Sequence, residues 1–162
     1  MIISLIAMVA LVALDQISKY FATLYLAPVG VMPFIPGVME LRYVLNDGAA
    51  FSMFSGGNAW ILITVTSVAL TAMCVWFFWK KPSCALVRAA FILVIAGGVG
   101  NLIDRVLNGH VVDFFATTFM NFAVFNVADC FVCVGVVLLL IAVLRDEAKN
   151  KKQAQPSSDA QP

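Results

Sequence analysis

Four long apolar stretches constrain this chain more than any other feature of its sequence. They run from about Ile2 to Leu26, Trp60 to Trp79, Ala85 to Leu107 and Asn126 to Leu144. A bilayer core of about 30 Å takes roughly 20 helical residues to cross, and each stretch is long enough, or nearly so. Because backbone polar groups in lipid must be paired within their own segment, we predict four transmembrane helices.

The composition excludes an ordinary water-soluble domain. Charged residues make up only 12% of the 162 residues, and the mean hydropathy is +0.98. A soluble domain covers much of its surface with ionised side chains, so a chain this poor in them has to place apolar side chains against lipid. The net charge of +1 gives no reason to expect a nucleic-acid partner. We expect membrane lipids to surround the chain.

The basic residues indicate how the chain lies in the membrane. They gather after the second and fourth stretches: Lys80, Lys81, Arg88, Arg145, Lys149, Lys151 and Lys152. By the positive-inside rule, loops rich in Lys and Arg face the cytoplasm. Four spans then place both termini inside, and the loops at 27–59 and 108–125 lie on the outer side of the membrane.

The two ends of the chain differ in character. A cleavable signal peptide has a basic start and a small-residue cleavage site, whereas the first stretch here is interrupted by Asp15 and Lys19. We therefore expect a retained first helix. Residues 1–150 are predicted to form one membrane-embedded domain that works as a monomer. The polar, Gln- and Ser-containing residues 151–162 are predicted to form a disordered cytoplasmic tail.

The first outer loop contains the best candidate for extended structure. Residues 39–45 alternate between apolar and polar side chains, as one or two short strands would. The segment is too short for a domain of its own, so we predict a small β-ribbon resting on the membrane surface. Side chains suited to the headgroup interface follow it, namely Phe51, Met53, Phe54 and Trp60.

Polar residues inside an apolar stretch are costly and therefore need an explanation. In the first helix Asp15 and Lys19 are four residues apart and share a face, so they can pair in the interior of a helix bundle. The pair could fix helix packing or contact a substrate, and the sequence favours neither.

The third stretch ends in a glycine-rich segment followed by polar residues, from Gly97 to Arg105. Small residues at helical spacing let membrane helices approach closely, so we interpret the glycines as a packing face. A phosphate-binding loop is excluded, because no strand precedes the segment and no Lys followed by Ser or Thr comes after it. The polar side chains of Asn101, Asp104 and Arg105 can satisfy one another and position a neighbour.

Two aspartates at the outer ends of the last two helices carry the main functional prediction. Asp113 lies in the loop between these helices, and Asp129 lies just inside the fourth, where Asn126 shares its helical face. Two carboxyls held close in a poorly solvated place share one proton, because both cannot easily ionise. Such a pair can take a proton from water and give one to a carbonyl oxygen. This predicts peptide hydrolysis without a cofactor or a covalent intermediate.

Other chemistries fit the same residues less well. Carboxylate and amide oxygens also suit Mg²⁺ or Ca²⁺, whereas a zinc or iron site is disfavoured because His110 is the only histidine. Cys130 and Cys133 have the spacing of a redox pair, yet inside a membrane helix we interpret them as packing residues. Each of the four cysteines lies in a span or on the cytoplasmic side, so we expect no disulfide framework.

Two function classes other than hydrolysis compete. A small proton- or ion-coupled transporter could use Asp15, Asp104 and Asp129 as a relay, although the chain has no evident internal repeat and its acids gather at one side of the membrane. A non-catalytic four-helix assembly protein could use the polar residues for packing alone. That alternative leaves the gathering of two carboxylates at one helix end unexplained.

Five short motifs together resemble the signal peptidase II (lipoprotein signal peptidase) family. They are Asp15-Gln-x-x-Lys19, Asn46-x-Gly-Ala-Ala-Phe51, Gly97-Gly-x-Gly-Asn-x-Ile-Asp-Arg105, Val111-Val-Asp-Phe114 and Phe125-Asn-x-Ala-Asp129, in the order of the family. Each motif alone is modest evidence. The resemblance is specific because all five occur together and cover nearly the whole chain.

The resemblance implies a bacterial inner-membrane aspartyl endopeptidase that removes signal peptides from prolipoproteins and cuts before the diacylglyceryl-modified cysteine. It implies an all-α membrane protein of four transmembrane helices with a small periplasmic β-cradle and an interfacial loop. It also implies that globomycin-type inhibitors block the active site. Asp113 and Asp129 would be the catalytic pair, near the periplasmic face. The residues that would shape the site or bind substrate or inhibitor are Asp15, Lys19, Asn46, Gly48, Ala49, Phe51, Asn101, Asp104, Arg105 and Asn126.

Overall fold

Four long helices account for most of the computed structural model, which describes residues 1–48 and 59–154. They are α1 (Ile2–Phe21), α2 (Ala59–Lys80), α3 (Ala85–Asn108) and α4 (Val127–Ala154), and a π-helical turn (Ala22–Leu26) continues α1. All four are long and apolar enough to cross a membrane. The prediction of four transmembrane helices is therefore confirmed.

The helices turn large apolar side chains outward. Ile3 on α1 is 82% exposed and Trp79 on α2 is 80% exposed, and only 11% of the most apolar part of α2 is buried in the protein. Water would not tolerate so continuous an apolar surface, so these side chains face lipid.

A small antiparallel sheet lies at one end of the helices. Its strands are β1 (Val31–Ile35), β2 (Met39–Asn46) and β3 (Val111–Thr117), in the order β1-β2-β3. Strand β2 confirms the extended segment predicted at residues 39–45. The prediction that Asp113 lies in a loop was wrong, because this residue belongs to β3. A strand so far along the chain from its partner β2 needs a non-local pairing that local sequence does not reveal.

The sheet is fixed to the helices by a small apolar core. Ala22 and Leu26, at the end of the first membrane span, pack with Val112 and Phe114 of β3, and Val127 at the start of α4 packs against them. The first four residues of β3 are buried, and an apolar sequence is expected of a strand covered on both faces. The core therefore holds Asp113 rigidly at the junction of three elements.

Two glycines of α3 allow the helices to meet. A methyl group on Gly97 would collide with the backbone oxygen of Ala128 in α4, and one on Gly100 would collide with the carboxylate of Asp15 in α1. This close approach confirms the interpretation of the glycine-rich segment as a packing face. It also brings the polar residues of α1, α3 and α4 to the same place.

Two predicted segments are only partly covered by the structure. Helix α4 continues to Ala154, so residues 151–154 are helical where disorder was expected, and residues 155–162 lie outside the described residues. Ala49, Phe51, Met53 and Phe54 also lie outside them.

Candidate active site

The site begins with the first turn of α4, which fixes Asp129. Asn126 precedes the helix, and its side-chain Oδ1 accepts a hydrogen bond from the Asp129 backbone N–H at 3.0 Å, while the Asp129 carboxylate Oδ2 accepts one from the Asn126 backbone N–H at 3.1 Å. This reciprocal arrangement is a capping box, which satisfies two otherwise unpaired donors. The positive end of the helix dipole also favours a carboxylate at this position.

Strand β3 presents the second carboxyl. Asp113 is 2% exposed, and each of its side-chain oxygens accepts one amide hydrogen bond. The Asn126 side-chain Nδ2 donates to Oδ1 at 2.7 Å, and the Asn46 Nδ2 donates to Oδ2 at 2.9 Å. Asn126 thus contacts both aspartates, by its backbone and by its side chain, and keeps them in one site.

Asn101 of α3 completes the bridge between the two carboxyls. Its Nδ2 donates to Asp129 Oδ1 at 2.8 Å, and its Oδ1 accepts from Asn126 Nδ2 at 3.1 Å. The same Oδ1 also accepts from the ammonium group of Lys19 at 2.8 Å. Because an ammonium group can only donate, Lys19 determines that the amide nitrogen of Asn101 faces Asp129.

A second set of charged residues lies behind Asn101, and we call Asp15, Gln16, Lys19 and Asp104 the ion cluster. The Lys19 ammonium lies 2.8 Å from Asp15 Oδ2 and 2.7 Å from Asp104 Oδ2, and both acids and the lysine are almost fully buried. Gln16 Nε2 donates to Asp104 Oδ1 at 3.0 Å. Asp15 Oδ1 accepts from the Ala128 backbone N–H at 2.9 Å. The pairing predicted for Asp15 and Lys19 is confirmed.

Arg105 connects α3 to the turn after β2. Its guanidinium Nη2 donates to the Gly48 carbonyl at 3.1 Å, and the Gly48 N–H donates to Asn46 Oδ1 at 3.0 Å. That last bond orients the Asn46 side chain so that its Nδ2 faces Asp113. Within residues 1–48 and 59–154, the buried Nε of Arg105 has no hydrogen-bond partner.

Both carboxyls open onto one cavity of about 400 Å³. Its polar wall consists of Asn46, Asn101, Arg105, Asp113 and Asp129. The rest of the lining is mostly apolar and was not predicted; it consists of Val111, Phe122, Ala123, Val124, Phe125, Cys130, Val132 and Cys133. The cavity therefore offers two acids to a ligand that is otherwise apolar.

Burial changes the acidity of Asp113. The pKa of this carboxyl is raised from 3.8 to about 6, chiefly by loss of solvation and also by the negative charge of Asp129, against the hydrogen bonds from Asn46 and Asn126, which lower it. The side chain therefore keeps its proton at a pH at which an ordinary aspartic acid has lost it.

The predicted site residues lie in several places, and Asn126 is fully buried between the two aspartates. Asn46, Asn101 and Arg105 line the cavity with the two aspartates, whereas Asp15, Lys19 and Asp104 lie behind it and Gly48 lines a neighbouring cavity. Ala49 and Phe51 lie outside the described residues.

Sequence analysis missed three residues of the site. Gln16 donates to both acids of the ion cluster, and its place between Asp15 and Lys19 was the available indication. Cys130, directly after Asp129, and Cys133, one turn after Asp129, were interpreted as packing residues, and both line the cavity. The four cysteines are free.

The arrangement bears on the alternatives to hydrolysis. In the part of the chain that the structure describes, no three His, Cys, Asp or Glu side chains lie close enough to hold a metal ion. The acids of the proposed relay, Asp15, Asp104 and Asp129, gather around Asn101 instead of being spread along the helices. A relay would need acids at successive depths of the membrane.

The sequence was then compared with known families and proteins. It matches the family described as Signal peptidase (SPase) II over residues 7–145. It is 40% identical over 146 residues to the lipoprotein signal peptidase of Lactococcus lactis subsp. cremoris (strain SK11), covering 90% of this chain and 96% of that protein. It is 38% identical over 143 residues to the lipoprotein signal peptidase of Streptococcus pyogenes serotype M2 (strain MGAS10270), covering 88% and 93%.

Two solved structures share the fold. One is a bacterial membrane enzyme determined by the in meso method at 2.3 Å resolution, with a TM-score of 0.81, 33% sequence identity and coverage of 90% of each chain. The other was determined by the same method at 1.9 Å, with a TM-score of 0.79, 33% identity and coverage of 88% of this chain and 93% of that chain.

Proposed function

Because the chain belongs to the signal peptidase II family, it is a membrane protease that removes signal peptides from prolipoproteins, and we propose that Asp113 and Asp129 perform the hydrolysis as an aspartyl pair. The observation that carries this proposal is that both carboxyls line the same cavity and are held there by one residue, Asn126. Although the two aspartates are sixteen residues apart in the chain, hydrogen bonds from Asn126 to both of them keep them in one site.

The proposed reaction uses a water molecule between the two carboxyls and one shared proton. The ionised carboxyl takes a proton from the water, whose oxygen attacks the scissile carbonyl carbon, while the protonated carboxyl gives its proton to the carbonyl oxygen. In the second step the carboxylate takes a proton from one hydroxyl of the tetrahedral gem-diol, the C–N bond breaks, and the protonated carboxyl gives its proton to the leaving amine. The pair again holds one proton at the end. The raised pKa of Asp113 supports this scheme because it keeps one proton available in the pair.

The apolar wall and the position of the cavity support a lipid-modified substrate. Asp129 lies in the first turn of a membrane-spanning helix, so the scissile bond would be presented near the boundary between lipid and water. A diacylglyceryl-modified cysteine keeps its acyl chains in the membrane, and the cavity accepts the adjoining peptide there. We propose that cleavage occurs just before that cysteine, and that globomycin-type inhibitors compete for the same cavity.

We also propose an orientation in the bacterial inner membrane. Lys80, Lys81 and Arg145 lie at the ends of the helices opposite to the two aspartates, as the element order requires. The positive-inside rule then assigns these ends to the cytoplasm and the cavity to the periplasmic side.

A cleavage assay tests the proposal. Purified chain in detergent is given a diacylated prolipoprotein, alongside the variants Asp113→Asn and Asp129→Asn. We expect the parent to release the signal peptide and neither variant to do so, with the cut placed before the modified cysteine by mass spectrometry. Glu147→Gln makes the same change of carboxyl to amide at an exposed position on α4, so it is the matched control and should cleave normally.

A second arm separates the aspartyl mechanism from a metal mechanism. Cleavage should continue in EDTA, because no step of the proposed reaction uses a cation. Loss of cleavage in EDTA with recovery on adding Mg²⁺ would replace the aspartyl pair by a metal site built from the same oxygens. Normal cleavage by either Asp variant would remove that residue from the mechanism.

A further inference from the structure

A second cavity, of about 600 Å³, lies at the other end of the helices. It is formed by the end of α2, the start of α3 and the last turns of α4. Cys84 precedes α3 by one residue, and Asn101 lies seventeen residues further on, so the two cavities are about 25 Å apart along the helix. The hydrolysis proposed above makes no use of this second cavity.

The floor of this cavity is apolar and continuous with the lipid-facing surface. The Trp76 and Phe91 rings stack on each other, with centroids 4.5 Å apart and planes 17° apart, and Leu139 and Val143 of α4 complete the floor. Trp76 is 41% exposed and Val143 is 54% exposed, so the floor opens sideways into the bilayer. A hydrocarbon chain could lie along it without leaving the membrane.

The rim of the cavity carries positive charge. Arg145 and Lys149 are four residues apart on α4 and share a face, and both line the cavity. Among the described residues neither makes a salt bridge; Asp146 also lines the cavity but pairs with neither of them, so the rim keeps an excess of one positive charge. Two free cations at the mouth of an apolar cavity complement a ligand with an anionic head and an apolar tail.

The Cys84 thiol lies at the same rim, and its acidity is affected by the positive charge there. Its pKa is lowered chiefly by the backbone N–H groups of Val87 and Leu86 in the first turn of α3, and further by Lys149 and Arg145. All four influences favour a negative charge at this place.

We propose that this cavity binds an anionic membrane phospholipid, with the phosphate of the headgroup between Arg145 and Lys149 and one acyl chain along the floor made by Trp76, Phe91 and Val143. Basic pockets between transmembrane helices recognise anionic headgroups in this way. A soluble anion would contact the rim but leave the apolar floor empty, so the floor selects the lipid.

The experiment follows the reactivity of Cys84. The full chain is reconstituted in vesicles of phosphatidylcholine with or without phosphatidylglycerol, and alkylation of Cys84 by N-ethylmaleimide is timed by peptide mass spectrometry. We expect phosphatidylglycerol to slow the alkylation of the parent, because a bound headgroup covers the thiol. In the variant Arg145→Gln/Lys149→Gln this protection should disappear.

A matched control removes the general effect of a charged bilayer. Lys80→Gln/Lys81→Gln deletes two cations from the same end of the helices without touching the lining of the cavity. It should be protected as well as the parent. Equal protection of both double variants would overturn the proposal, and so would equal protection by millimolar inorganic phosphate without phosphatidylglycerol.

A second measurement counts the bound lipid directly and does not use the reactivity of Cys84. Phosphatidylglycerol is titrated onto the detergent-purified protein and the bound lipid is counted by native mass spectrometry. Loss of both cations should weaken binding about 30-fold, since each contributes roughly fivefold near an anionic headgroup. Ala142→Phe, which fills the floor, should also abolish retention. If Ala142→Phe binds as much lipid as the parent does, the lipid binds at a different place. Circular dichroism checks that each variant keeps its helices.

Discussion

Two groups of acids lie side by side in this protein and are stabilised in different ways; Asp15, Asp104 and Asp113 are buried, and Asp129 is half-buried. In the ion cluster, Lys19 lies between Asp15 and Asp104 at salt-bridge distance from both. In the pair, Asp113 and Asp129 receive neutral amide and backbone donors. Arg105, which lines the same cavity, donates to backbone carbonyls and, in the described parts of the chain, makes no salt bridge to either acid.

This difference in hydrogen-bond partners suits the ion cluster to a structural role and the aspartate pair to a chemical one. A buried carboxylate beside a buried ammonium stays charged and rigid, because removing either partner leaves an uncompensated charge. A buried carboxyl held only by amides can gain or lose a proton without breaking an ion pair. The pKa of Asp113 is raised to about 6, so this carboxyl can hold a proton in mildly acidic solution. Perturbed acids of this kind are where catalysis is expected.

Asn101 joins the two groups. Its oxygen accepts from Lys19 of the ion cluster, and its nitrogen donates to Asp129 of the pair. The ion cluster therefore determines which end of the amide faces the reacting carboxyl. Its contribution to the site is orientation, since none of its members lines the cavity.

The largest expected effect is the loss of activity on substitution of an acid of the pair, with little loss of stability. Asp129→Asn should lower kcat for prolipoprotein cleavage at least a thousandfold, because no second group can replace a member of the acid–base pair. The midpoint of thermal unfolding should fall only slightly, since the new amide keeps the shape and its oxygen can still accept from Asn101, while the capping bond from the Asn126 backbone N–H is lost. A large fall in the unfolding midpoint would show that Asp129 is structural and would erase the contrast.

In the ion cluster, a substitution should lower the stability of the fold strongly. Lys19→Met keeps the length of the side chain but leaves Asp15 and Asp104 buried without a cation, so we expect a loss of about 3–5 kcal/mol in unfolding free energy. Thermal unfolding in detergent measures it. Adding Asp15→Asn to the same variant should recover part of the loss. Simple additivity of the two changes would contradict a coupled cluster.

A smaller steric change tests how closely α1 and α3 approach. Gly100→Ala drives a methyl group into the Asp15 carboxylate and should cost about 1–3 kcal/mol of stability, with a parallel loss of activity through Lys19 and Asn101. Gly98→Ala is the matched control on the same helix, because there the new methyl meets the flexible end of Leu70. Equal effects at both positions would remove the special role of Gly100.

The smallest expected effect is a shift in pH dependence. The pKa of Asp113 is raised to about 6, so its proton is held below that pH and lost above it. Its contribution to stability is therefore complete below 3.8 and lost as the pH rises through about 6. If the pair must carry one proton, kcat/KM should fall over the same range.

Asn46→Ala sharpens this test. The variant lacks a hydrogen bond that lowers the pKa of Asp113, so its pKa should rise and the alkaline fall of kcat/KM should move to higher pH. Asn108→Ala, an exposed amide at the end of α3, should leave the profile in place. A shift to lower pH in Asn46→Ala would show that Asp113 does not control the profile.

Local patterns in the sequence were enough for the helices, the glycine packing face, the Asp15–Lys19 pair and the two aspartates. Each depends on spacing along one element or on the cost of a charge in lipid, which hold wherever the element lies. The capping box of Asn126 and Asp129 also depends only on local spacing, because both residues lie in one helical turn.

The tertiary structure decided what lies between those elements. Strand β3, the contact of Asn46 with Asp113, the position of Gln16 and the apolar wall of the cavity all join residues far apart in the chain. The sequence by itself determined that the chain crosses a membrane and carries two costly carboxyls at one side, because burial of charge is penalised whatever the neighbours. Only the packing of α1, α3, α4 and the sheet decided that Asp104 shares the Lys19 cation while Asp113 and Asp129 receive amides, because that depends on distances of about 3 Å between separate elements.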